Sequence, residues 1–201
     1  MINIIKDIDL FDRVRDYDVI LVGTNIYCNL SQGFQRKIML NYPYVQEMNM
    51  ETKYADKKKL GTILECKKNN NPTFTLLYIT EGNFRPDIKK DTLSYESLEN
   101  CIKIINILYR GKNIATTILG NSRFDGNGDK DRIMKIIEDN SKNVNIDIYD
   151  YYQKSRAEEL KEIRTKELEI KKEDSDAYYE AVRKRKKEAE ERFKNNGHAR
   201  Y

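Results

Sequence analysis

The chain has 201 residues, 39% of them hydrophobic, which suffices for one sizeable core and argues against a wholly disordered protein. Charged residues reach 35%, yet the signs nearly cancel at +4, divided as +3 on residues 153–201 and +1 on residues 1–152, a balance that speaks against a nucleic-acid partner. Cys28, Cys66 and Cys101 show no C-x-x-C spacing for a metal or redox site, no apolar run approaches a membrane span, and the start is charged too soon for a secretory leader, so reduced thiols in a cytoplasmic setting are expected.

Residues 18–25, DVILVGTN, form a short apolar run closed by turn residues, which predicts a buried strand feeding a loop. Phe34, Ile38 and Met39 then share one helical face, predicting a helix over about residues 31–41 that Tyr42-Pro43 ends. Two further strands are expected at residues 60–66 and 73–80, joined as a hairpin by the turn-rich residues 67–72. Ser94-Tyr95-Glu96-Ser97 reads as a capping box opening a helix that runs to Arg110. Its apolar positions Leu98, Cys101, Ile102, Ile105 and Leu108 keep the helical period, and Gly111 stands where a C′ glycine belongs.

Residues 113–119 form the next expected strand, 120–128 a glycine-bearing loop, 129–140 a helix burying Ile133, Ile136 and Ile137, and 144–149 a last strand. Strands alternating with helices predict an α/β domain over residues 1–152. From residue 153 no glycine or proline interrupts a run of helix formers until about Asn195, which predicts a long charged arm. Its apolar residues are too sparse for a coiled-coil seam. Leu160, Ile163, Leu168, Tyr178, Tyr179, Val182 and Phe193, ringed by charge, have the make-up of interface anchors for a partner, either copies of this chain or other assembly proteins.

Two loops carry candidate chemistry. The first runs from Gly23 through Asn25 and Gly33 to Phe34 and enters a helix directly; amides at a helix N-terminus attract phosphate, and a glycine lets a ligand approach the backbone closely. The second, Gly120-Asn121-Ser122-Arg123-Phe124-Asp125-Gly126-Asn127-Gly128, again joins a strand to a helix, at the sheet edge where open α/β folds bind ligands. It reads either as a polar nest for a diphosphate with Arg123 supplying charge, or as a tight turn capped by Asp129. His198 reads as a solvated tail residue, and the basic block 183–187 as a helix face paired with Glu188, Glu190 and Glu191.

The ordered series DVILVGTN, LSQGFQRKI, NYPYVQE, KKLGTI, LLYIT, YESLENCI, ILGNSRFDGNG and VNIDIYDY, over about residues 4–150, resembles the macrodomain family, in particular its small ADP-ribose-hydrolysing and ADP-ribose phosphate phosphatase branch. The resemblance implies a three-layer α/β/α fold with a mixed sheet and an ADP-ribose cleft between the two loops. It places Asn25, Gly33, Phe34, Gly120, Asn121, Ser122, Arg123 and Asp125 at that cleft. Where the hydrolase branch has a nucleophilic lysine, this chain has Glu81, and a carboxylate cannot form a lysine-type adduct, so that chemistry is expected to be missing. No cofactor is implied. Two functions follow: a structural subunit of a large oligomeric assembly, such as a phage or other viral particle, built on a degenerate macrodomain with the arm as its contact; or, as the alternative, a module that binds or hydrolyses ADP-ribose or a related nucleotide.

Overall fold

The computed structural model describes residues 1–82, 92–121 and 126–150, together with the single positions Glu180, Lys184 and Lys187. The chain divides into two units, Met1–Tyr152 and Gln153–Tyr201. The expected helical arm, with Leu160, Ile163, Leu168, Tyr178, Tyr179, Val182 and Phe193, lies outside the described residues.

Six strands form one sheet in the order β1-β6-β5-β2-β4-β3, where β1 is Ile2–Lys6, β2 Val19–Asn25, β3 Ile63–Cys66, β4 Thr73–Thr80, β5 Asn113–Thr117 and β6 Asn145–Asp150. All neighbours run parallel except β3, which returns along β4 as the expected hairpin. Parallel strands covered on both faces read as continuous apolar runs, and β2 is buried from Val19 to Thr24.

The strand period of two sends Val19 and Leu21 to one core and Ile20 and Val22 to the other. On the first face lie α3 (Tyr95–Leu108) and α4 (Lys130–Asn140), packing Leu98, Ile102, Ile105, Ile133 and Ile137 against Leu77, Ile79, Ile114 and Ile146. On the second lie α1 (Gly33–Asn41) and α2 (Pro43–Met50), with a 3-10 turn at Leu10–Asp16; Leu10, Val14, Ile38 and Val45 meet Phe74, Leu76 and Tyr149 there. The result is a three-layer α/β fold with a mixed sheet.

Three elements differ from the sequence expectation. Residues 2–6 are a strand that pairs Ile2 with Ile146, where the sequence predicts no element. Helix α1 ends at Asn41 before Tyr42-Pro43 as expected, but Pro43 also opens a second helix that the sequence did not predict: it occupies the first turn of α2, where its missing amide costs no bond. Helix α3 ends at Leu108, so Gly111, at φ +75°, stands two residues beyond the cap residue Tyr109 and serves the turn into β5. Ser94 caps α3 as expected, accepting from the Ser97 amide at 3.2 Å.

Candidate functional site

The chain leaving β2 enters α1 on one face of the sheet, whereas the chain leaving the adjacent β5 enters α4 on the other. Two neighbouring strands whose connections depart to opposite faces open a crevice at their carboxyl ends, the usual ligand position in open α/β sheets. The described residues of both loops, 26–32 after β2 and 118–121 with 126–129 after β5, follow the carboxyl ends of these two strands.

The first loop is held by its own side chains. A register shift between Thr24 and Asn25 breaks the β2–β4 ladder and re-aims Asn25 at the strand end. The Asn25 Oδ1 accepts from the Tyr27 amide at 2.9 Å, and its Nδ2 donates to the Asn29 carbonyl at 2.9 Å, so this asparagine clips the loop. Gln35 Nε2 donates to the Gly23 carbonyl at 2.7 Å and Gln46 Nε2 to the Cys28 carbonyl at 2.8 Å, tying α1 and α2 to the loop. Phe34 packs against the second core.

At the entry to α1 the geometry suits an anion. Gln32, the cap residue, makes no side-chain bond to the first turn, and Gly33 takes φ +46° with open space where a Cβ would stand. A helix N-terminus uncapped by its own side chain keeps its positive dipole end for a ligand.

The second loop uses its glycines differently. A Cβ on Gly120 would meet Leu93 Cδ1 at 2.6 Å, one on Gly128 would meet Leu93 Cδ2 at 2.4 Å, and one on Gly126 would meet Leu93 Cβ at 3.1 Å. These three glycines form a cradle that seats buried Leu93, a residue with no distinguishing signal in the sequence. Backbone bonds close the cradle: Gly128 N–H donates to the Gly120 carbonyl at 2.9 Å, and Thr92 and Leu93 amides donate to the Gly126 carbonyl at 2.8 and 3.2 Å. Asn121 Nδ2 adds a bond to the Gly128 carbonyl at 3.0 Å. Asp129 caps α4, accepting from the Arg132 amide at 2.8 Å. The turn-and-cap reading therefore accounts for Gly120, Gly126, Gly128 and Asn121; Ser122, Arg123 and Asp125 lie outside the described residues.

Glu81 follows β4 and accepts from Lys57 Nζ at 3.1 Å in an exposed ion pair. Gly82, at φ +78°, lies so close to the first loop that a Cβ would stand 3.2 Å from both Asn25 Cβ and Tyr27 Cδ2. Beneath this loop lies a polar cluster with no counterpart in the sequence reading. Tyr78 OH donates to Asn49 Oδ1 at 2.8 Å, and Lys59 Nζ donates to Thr52 Oγ1 at 2.8 Å and Cys28 Sγ at 3.0 Å. Burial pushes the Tyr78 phenol up to about 12. Among the described residues no group of three His, Cys, Asp or Glu side chains could hold a metal ion, and no helix is long and apolar enough to cross a membrane.

No protein-family model and no curated protein matches the chain. Solved structures do. The macrodomain of Mycobacterium tuberculosis DarG aligns with a TM-score of 0.56 at 16% identity, covering 74% of this chain and 97% of that one. Thermosipho africanus DarTG in complex with ADP-ribose aligns at 0.55 and 16%, covering 74% of this chain and 41% of that one. A point mutant of the Oceanobacillus iheyensis macrodomain, determined with ADPR, aligns at 0.54 and 14%, covering 83% and 92%. With the six-stranded mixed sheet and its two helical layers, these alignments show that most of the chain has the macrodomain fold.

Proposed function

We propose that this protein binds ADP-ribose, or a nucleotide sharing its diphosphate, in the crevice between β2 and β5, without lysine-dependent hydrolysis. The observation that carries the reading is the uncapped N-terminus of α1, with Gly33 open at φ +46°, at the switch point of a macrodomain fold. Two structures of similar fold were determined with ADP-ribose, which supports the choice of ligand. In this reading the amides after Gln32 meet the diphosphate, and Arg123 is assigned to it as a cation by its place in the sequence. Ser122 and Asp125 are assigned to the same side on the same ground. Glu81, paired with Lys57, supplies no nucleophilic amine, so the reading is of a binder rather than a glycosyl hydrolase. The assembly role expected from residues 153–201 has no supporting contact among the described residues, and ligand binding replaces it as the leading reading.

Calorimetry of the full-length chain with ADP-ribose tests this. Saturable heat below millimolar ligand is expected, and Gly33→Glu abolishes it by filling and charging the diphosphate seat. Gly33→Gln, which carries comparable backbone strain and bulk without charge, retains more of the affinity. An absence of heat overturns the reading, and undiminished affinity in Gly33→Glu moves the ligand elsewhere.

A further inference from the structure

The cluster beneath the first loop holds a thiol and an amine at bonding approach. Cys28 is buried at 7% exposure and adopts φ +54°, which sets its side chain against the α2–β3 connection. Lys59 reaches the same point from the 3-10 turn before β3. Its Nζ lies 3.0 Å from Cys28 Sγ, 2.8 Å from Thr52 Oγ1, 3.2 Å from the Ile26 carbonyl and 3.3 Å from the Lys53 carbonyl, and 4.3 Å from the centre of the Tyr78 ring. No carboxylate among the described residues pairs with Lys59. Thr52 Oγ1 also contacts Cys28 Sγ at 3.3 Å, which fixes the sulfur from a second side.

The geometry points to a modification site: an oxidative covalent cross-link between Cys28 and Lys59, formed with a peroxide as oxidant. The peroxide transfers one oxygen to Cys28, giving the sulfenic acid and one water; sulfur loses two electrons and the O–O bond is reduced. The neutral Lys59 amine then attacks the sulfenyl sulfur. The S–O bond breaks, the S–N bond forms, and the departing hydroxide leaves as water with a proton from nitrogen. Condensation of a sulfenic acid with a nearby nitrogen is a known step of cysteine oxidation. The lysine's flexible four-carbon stem closes the remaining distance.

The other two thiols are poor competitors. Cys66 and Cys101 are free and fully buried, and burial pushes each up to about 12, which withholds the thiolate that peroxide attacks. The cross-link ties the loop at residues 26–28 to the 3-10 turn before β3, and this inference stands whether or not the crevice takes a nucleotide.

The test is intact mass and non-reducing peptide mapping of the full-length protein after treatment with hydrogen peroxide. The expected product is lighter by about 2 Da, two hydrogens, joins the peptides of Cys28 and Lys59 with no tryptic cut after Lys59, and reverts with a thiol reductant. Lys59→Arg keeps the charge but not the amine, and gains about 16 or 32 Da at Cys28 under the same treatment. Oxygen addition that persists at Cys28 in the wild type, with no Cys28–Lys59 cross-link, overturns the proposal. So does a loss of about 2 Da that persists in Cys28→Ser, which signals a disulfide between the remaining thiols. The wild-type map decides the matter even where a variant fails to fold.

Discussion

Replacing Gly128 by alanine tests whether the second loop's glycines serve packing. The new Cβ stands 2.4 Å from Leu93 Cδ2, 3.1 Å from Ile133 Cδ1 and 3.3 Å from the Gly120 carbonyl oxygen. Leu93 and Ile133 are buried at 6% and 0% exposure, so neither side chain can swing into solvent. Overpacking of this kind costs about 1–3 kcal/mol. The backbone at Gly128 lies outside the positive-φ region, so alanine there adds no left-handed strain and recovers about 0.4–1 kcal/mol through the unfolded chain. A net destabilisation of about 1–2 kcal/mol remains, or a fall of about 2–8 °C in Tm for a chain of this size. Urea unfolding measures it as a lower midpoint at constant slope. The decisive comparison is the double mutant with Leu93→Ala, where the obstacle is gone: the two effects should fail to add by about 1 kcal/mol. Additivity within about 0.3 kcal/mol, or an unchanged midpoint in Gly128→Ala, refutes the cradle.

Alkaline titration should weaken the fold. Tyr78, Cys66 and Cys101 are held neutral up to about 12, above the unfolded values of about 10 for tyrosine and 8.5 for cysteine, so the unfolded chain sheds protons first. Their contribution is whole below about pH 8.5 and is lost as pH rises toward 12, by up to about 1.4 kcal/mol per pH unit for each group. A urea midpoint that is flat over this range, or a slope unchanged in Tyr78→Phe, contradicts the assignment. Asp129→Ala removes the cap bond to the Arg132 amide and should cost about 1 kcal/mol, while Asp129→Asn should cost little; equal losses in the two variants would mean that charge rather than the cap bond matters.

What could be read in advance followed local rules. The apolar run of β2, the cap at Ser94, the period of α3 and the hairpin of β3 and β4 each depend on residues within a few positions of one another. Edge strand β1 escaped because its burial is only partial, at Ile2 and Ile5, and its partner Ile146 is far along the chain. Pro43 was ambiguous because one residue type both stops a helix and begins one. At the crevice, Asn25 and Gly33 stood out through their place between strand and helix. Leu93 and Lys59 did not, because a leucine in a loop and one lysine among three gain meaning only from the glycines and the cysteine that folding brings to them.

The pairing of β1 with β6 sets an order on synthesis. Asn3 and Asp147, joined by a side-chain bond, are separated by 144 residues. At about 5–20 residues per second, the ribosome makes the first of these strands roughly 7–30 s before the second exists. Strands β2, β3 and β4 can meet while the chain is still growing, but β1 must wait with its hydrogen-bonding edge uncovered. Half-exposed and mixed in polarity, β1 is poorly suited to capture by a stray partner, so the weak signal that hid it in the sequence also protects the nascent chain.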